Sequence, residues 1–126
     1  MMDVTKVLDG LRADVEGCDL AAFADLNTRM ILCVSSTSRH AQEELDALTE
    51  TAATVLDGSV AEGAKALLSD QTALTAMTFT QVDARIYLRA SASDSEALIC
   101  LCAPDVDLVK AVNRGTLALT EIMATA

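Results

Sequence analysis

The 126 residues suffice for one domain with one good core, and 52% of them are hydrophobic although the chain has only two Phe, one Tyr and no Trp. The core must therefore be aliphatic, and nineteen acidic against nine basic residues leave a formal charge of −10 with no basic tract, which excludes a nucleic-acid backbone as the natural partner. The longest apolar run, Ala97 to Ala103, falls far short of the ~20 residues of a spanning helix, and the first residues lack a basic end followed by an apolar core, so a soluble cytoplasmic protein is expected.

The apolar positions Val4, Val7, Leu8, Leu11 and Val15 follow one helical stripe, with Asp3 placed to cap its start and Gly17 to end it. Gly10 inside the stripe costs roughly 1 kcal/mol relative to Ala, so this helix depends on docking to a sheet. Cys18 to Leu26 and Met30 to Ser35 are two β-prone runs joined by Asn27-Thr28-Arg29, a polar link of hairpin length. Both runs are apolar on both alternating faces, which predicts that both faces of the sheet are covered there. After the polar stretch Ser35-Ser36-Thr37-Ser38, Ser38 is a candidate cap for a helix from Ala41. Ala41, Leu45, Leu48, Ala52, Val55 and Leu56 are expected to form the apolar face of that helix, and the small residues Ala47, Thr51 and Ala53 on its flanks leave room for a second helix.

Asp57-Gly58 stops this helix, and Ser59-Val60-Ala61-Glu62 has the spacing of a capping box, which predicts a short helix over 60–68. The run Ala73 to Gln81 reads as an edge strand, with Met77 and Phe79 alternating against Thr78 and Thr80. In the next strand Ile86, Leu88 and Ala90 alternate with Arg85, Tyr87 and Arg89, a basic and aromatic stripe read as facing outward. Glu96 to Ala103 is apolar on both faces after its first residue, and Pro104 makes it too short for an ordinary helix. It is therefore predicted to be the central strand, buried on both sides. Asp105 is the expected cap of a final helix with Leu108, Val109, Val112, Leu119, Ile122 and Met123 on its apolar face.

The order is α, β, β, α, a short α, β, β, β, α. Hairpin-length links make the strands mainly antiparallel, and a helical crossover passes over one face between the second and third strands. This is an α/β arrangement of the α+β type, in one domain spanning residues 1–126, with helices on both faces of the sheet.

That order, with the hairpin Asp19 to Leu32, the helix from Ala41, the three strands to Cys102 and Asp105-Val106-Asp107-Leu108-Val109-Lys110 leading into the last helix, resembles the roadblock/dynein light-chain family. The chain departs from the family pattern in the extra segment Ser59 to Leu68 and in lacking a glycine at Leu26-Asn27-Thr28-Arg29. The resemblance implies a profilin-like sandwich with a five-stranded antiparallel sheet of order 2-1-5-4-3. It also implies dimerisation through the second helix and the edge strand, and a non-enzymatic role in binding and regulating Ras-like small GTPases or as an adaptor in motor and signalling complexes.

Candidate sites follow from the residues. Self-association is expected at Met77, Phe79 and the helix face around Leu45, Leu48 and Ala52. Arg85, Tyr87 and Arg89 could serve a partner surface, or be a solvated strand face or cover for a helix. Cys100 and Cys102 share a strand face and with Cys33 could suggest a metal or redox site, but zinc needs four ligands and the only histidine, His40, lies in the polar loop. Buried, reduced thiols are the expected state of Cys18, Cys33, Cys100 and Cys102. His40 with Ser35, Ser36 or Ser38 is expected to be a solvated start-of-helix group, because neither a nucleophile elbow nor a glycine-rich phosphate loop accompanies it. No cofactor, metal or enzymatic activity is expected. The expected function is a homodimeric module that regulates or tethers a small GTPase; the alternative is a small-molecule sensor with a cavity between sheet and helix.

Overall fold

The computed structural model describes residues 3–57, 75–91 and 95–125. Its elements are α1 (Val4–Asp14), β1 (Cys18–Asp25), β2 (Met30–Ser36), α2 (Gln42–Asp57), β3 (Thr75–Phe79), β4 (Ala84–Leu88), β5 (Glu96–Cys102) and α3 (Leu108–Thr125). The strands form one five-stranded sheet of order β2-β1-β5-β4-β3, antiparallel at every pairing. The short helix predicted over 60–68 lies outside the described residues.

The two central strands divide their side chains between two cores. Leu98, Cys100 and Cys102 of β5 join Ala21 and Phe23 of β1 under α1 and α3, whereas Ala97 and Ile99 join Leu20, Ala22 and Ala24 under α2. Two-faced burial of β5 is thus present as predicted, and β1 shares it. The register of β1 against β5 shifts between Cys18 and Leu20, which moves Cys18 to the α1/α3 side, where simple alternation would put it on the face of Leu20. α1 begins at Asp3, whose carboxylate accepts the Thr5 N–H at 2.9 Å, and Gly17 takes φ +91° in the turn into β1.

Four local expectations are corrected. β2 is an edge strand, and Met30, Leu32 and Val34 on it are exposed, because an edge is covered by helices less completely than the centre. Ser38 does not cap α2; its N–H bonds to the Ser36 hydroxyl within the preceding turn, and α2 starts at Gln42. The cap of α3 is Asp107, whose carboxylate accepts the Lys110 N–H at 3.1 Å, while Asp105 sits in the turn before it. Val109, expected on the buried face of α3, is 72% exposed; the buried face consists of Ala111, Gly115, Ala118, Leu119 and Ile122.

Gly115 marks the closest approach of α3 to the sheet. A Cβ there would meet Leu88 Cδ1 at 2.6 Å and Leu98 Cδ2 at 3.5 Å, so the absence of a side chain is what lets the helix lie against β4 and β5. On the other face, the outward stripe expected on β4 is turned inward. Tyr87 is fully buried under α2, with its hydroxyl 3.3 Å from that of Thr78, and Arg89 is 4% exposed. Arg89 Nη2 donates to the Leu56 carbonyl at 2.9 Å, so its cation meets the C-terminal turn of α2, where carbonyls lack helical partners and the helix dipole is negative.

Two substitutions test these contacts by urea denaturation. Gly115→Val is expected to cost about 1–3 kcal/mol through overpacking, and adding Leu88→Val should return part of that loss. Unchanged stability of the single variant would refute the close approach. Arg89→Met should cost about 1.5–3 kcal/mol by removing a charge-assisted bond to a helix-end carbonyl. An unshifted denaturation midpoint would rule out the capping role.

Candidate functional site

Among the described residues, β3 pairs on one side only, with β4, through five regular positions from Thr75↔Leu88 to Phe79↔Ala84. Its outer backbone edge meets no other strand among the described residues. Ala76 packs against the core beneath α2 and Thr78 reaches Tyr87, so Met77 and Phe79 point to the opposite, α1/α3 side. They are exposed there, Phe79 by 58%, and Met77 lines a shallow groove of about 270 Å³ with Leu108, Val109, Val112 and Asn113. The apolar face of this strand is thus the exposed one.

The opposite edge is built differently. β2 meets β1 with a register shift at Phe23/Ala24, which leaves Leu32 without a paired position. The turn before it carries Arg29 at φ +59°, a conformation more often given to glycine, and Arg29 Nη1 satisfies the Leu26 carbonyl at 2.8 Å. A bulged, twisted edge is a poor template for another strand, whereas β3 is regular.

α2 lies over the sheet face that ends at β3. Leu45, Leu48 and Ala52, expected at a dimer contact, are buried against the sheet within one subunit, as the amphipathic pattern of the helix demands. Any contact of α2 with another molecule falls to its outer side: Ala47, Thr51 and Thr54, set among Glu43, Glu44, Asp46 and Glu50. The hydroxyls of Thr51 and Thr54 are spent on the carbonyls of Ala47 and Glu50, each at 3.0 Å, which leaves these small side chains able to present their methyl groups.

Of the candidate partner stripe, only Arg85 is substantially accessible, and it is paired with Asp83 at 3.3 Å. Tyr87 and Arg89 belong to the interior. Burial of an Arg is a signal that alternation cannot carry, because the carbonyl that holds it comes from a distant helix end.

The thiol grouping also differs from expectation. Cys33 lies across β1 from β5, pairs with Phe23 and is only partly buried; Cys18 is the residue that joins Cys100 and Cys102. Cys18 Sγ donates to the Leu20 carbonyl at 3.5 Å. The neighbouring Cys100 and Cys102 thiols hold Cys18 below the ordinary thiol range, with a smaller favourable contribution from the Arg12 charge, against the opposing effect of burial. The neighbouring Cys18 sulfur, together with burial, pushes Cys100 and Cys102 up. No group of three or more His, Cys, Asp or Glu side chains suited to a metal ion occurs among the described residues.

His40 stands between Ser38 and Glu44, with Ser38 Oγ 3.3 Å from Nε2 and Glu44 Oε2 2.9 Å from Nδ1. This has the connectivity of a serine–histidine–carboxylate relay, but all three groups come from one short stretch of chain at the start of α2, and the His40 side chain is 16% exposed rather than fully solvated. Ser35 has a structural role: its hydroxyl accepts from Arg12 Nε at 2.7 Å and donates to Asp9, clamping α1 to β2. The spaces between sheet and helices that a sensor would need open are occupied by the two side-chain cores. A cavity of about 470 Å³ lies at the surface between the turns, lined by Val15, Glu16, Gly17, Asp105, Val106, Asp107 and Lys110. No described helix is long and apolar enough to cross a membrane.

No family sequence model matches the chain, and no curated protein matches it. Solved structures do. A roadblock/LC7 domain from Streptomyces avermitilis superposes with a TM-score of 0.80 at 12% identity, covering 98% of each chain. The gliding protein MglB from Thermus thermophilus gives 0.76 at 16% identity, over 98% of this chain and 90% of the other. MglB from Myxococcus xanthus gives 0.75 at 13%, over 98% and 96%. At such identities the likeness is one of fold, and it extends over nearly the whole chain: the protein has the roadblock/LC7 fold, a profilin-like sandwich with strand order β2-β1-β5-β4-β3.

Proposed function

We propose that this chain is a homodimeric platform that binds a Ras-like small GTPase and regulates it by favouring one conformation of its switch segments. The observation that carries the proposal is the asymmetry of the two sheet edges. β2 is bulged, whereas β3 is regular, unpaired on its outer side among the described residues and bordered by exposed Met77 and Phe79. Two copies joined through antiparallel β3 edges would form one continuous sheet, and the outer sides of the two α2 helices would meet above the seam. Ala47, Thr51 and Thr54 are small enough for such an approach. The roadblock/LC7 fold supports this reading, as does the tetrameric arrangement named for an MglB structure that gives a TM-score of 0.75 at 14% identity.

A platform of this kind needs no reactive group of its own. The nucleotide chemistry belongs to the partner, and the platform acts through a difference in affinity between the partner's two nucleotide states. The acid excess of the chain suits a GTPase that offers a basic surface.

Light scattering across a dilution series should give twice the chain mass for the wild type. Phe79→Asp places a charge at the seam and Thr51→Arg places bulk between the helices; each is expected to weaken dimerisation at least about tenfold, or ~1.4 kcal/mol. A wild type that stays monomeric at every concentration would remove the shared-sheet platform. For the partner, GTPases recovered on the immobilised chain should bind at least about tenfold more tightly in one nucleotide state than in the other. Equal affinity for both loaded forms would reduce the protein to a passive tether.

A further inference from the structure

Cys18 opens β1 and Cys102 closes β5, and the register sets the two directly opposite each other. The Ala103 N–H donates to the Gly17 carbonyl at 2.8 Å. That bond flanks an antiparallel pair of the non-hydrogen-bonded kind, in which Cα atoms lie about 4.5 Å apart and side chains come closest. This lies within the ~4.4–6.8 Å that a disulfide spans. The shift in register after Cys18 turns its side chain to the α1/α3 face, so both side chains occupy the same core. Cys100, two residues along β5, is opposite Ala21.

We propose that Cys18 and Cys102 form a peroxide-sensitive dithiol site that closes an intrachain disulfide between the first and last strands of the sheet. Entry is from the end of the molecule where the α1–β1 and β5–α3 turns line the surface cavity of about 470 Å³. Val15 and Val106 line that cavity and also belong to the core that holds the thiols, and Cys18 is 6% exposed. Hydrogen peroxide is close to water in size.

In the first step the Cys18 sulfur attacks one peroxide oxygen, the O–O bond breaks, and one water leaves as Cys18 becomes a sulfenic acid. In the second the Cys102 sulfur attacks the Cys18 sulfur, the S–S bond forms and the S–O bond breaks. The hydroxyl leaves as a second water, taking up the Cys102 thiol proton. Two thiols lose two electrons in total, and one peroxide is reduced to two waters. The lowered pKa of Cys18 suits it to the attacking role.

The test exposes the folded wild type to hydrogen peroxide, then blocks the remaining thiols, maps the peptides by mass spectrometry and records thermal unfolding. The expected product is a Cys18–Cys102 bridge, with Cys33 and Cys100 alkylated. It should melt about 5–10 °C above the reduced protein and revert with a dithiol reductant. Cys33→Ser should leave the bridge forming, while Cys102→Ser should abolish it. Four unreacted thiols, a Cys18–Cys100 bridge, bridging only between chains, or a bridged form that melts below the reduced protein would each overturn the proposal. The wild-type map decides the matter even if a variant fails to fold.

Discussion

Everything in this fold depends on two adjacent strands, β1 and β5, that have no solvent face. Leu20, Ala21, Ala22 and Ala24 on one, with Ala97, Leu98 and Ile99 on the other, are fully buried. Each large aliphatic side chain so buried stabilises the fold by about 1.5–3 kcal/mol, but only if a layer of helices covers each face of the sheet. α1 and α3 supply one layer and α2 the other, and neither layer is dispensable. The approach of α3 to the sheet adds a second constraint. The helix comes so near β4 and β5 that it must give up a side chain at Gly115 to lie against Leu88 and Leu98. Tight packing of this kind lets a chain with no Trp and three other aromatic residues build two cores from aliphatic side chains.

This logic explains which parts of the fold were legible in the sequence. β5 could be recognised because its apolar run admits no exposed face, and α1 because its stripe, its Asp3 cap and its terminal glycine agree. Faces of strands further from the centre were harder to read. β2 is as apolar as a central strand, yet Met30, Leu32 and Val34 are exposed, because coverage depends on position in the sheet rather than on composition. On β4 the pattern Arg85, Tyr87, Arg89 suggests an outer face, but the end of α2 supplies a carbonyl to Arg89 and Thr78 supplies a hydroxyl near that of Tyr87. A buried polar group is stable once paired, and its pair lies far away in sequence. The thiol cluster shows the same limit. Cys33 and Cys18 are equivalent by spacing, and only strand order and one register shift decide which of them meets Cys100 and Cys102.

The candidate interface was legible in part for similar reasons. An edge strand with Met77 and Phe79 could be identified, but not the side of the sheet to which they point. Leu45, Leu48 and Ala52 were recognisable as the apolar face of α2, and in a single-layer cover that face must turn to the sheet rather than to a second molecule. Amphipathic periodicity therefore marks what a helix buries in its own subunit. What it offers to others is found on the opposite side, in the small residues Ala47, Thr51 and Thr54, whose pattern is too weak to stand out from a solvated surface.

Charge then limits how such a surface can be used. Glu43, Glu44, Asp46 and Glu50 ring the outer side of α2, and a two-fold seam there would bring two acidic rings together in a chain that already carries −10. Like charges on a solvated rim repel over roughly a Debye length, about 8–10 Å at physiological salt, and the repulsion must be offset by the strand pairing and by contact of the small residues along the seam. In the proposed dimer the same rings would give the assembled face a concentrated negative potential, which neither chain alone would present at that strength. A partner with a basic surface would gain most from the dimer and least from the monomer. Binding of such a partner and dimerisation would then be linked: each would favour the other, and the like-charge repulsion that opposes assembly would become the source of selectivity.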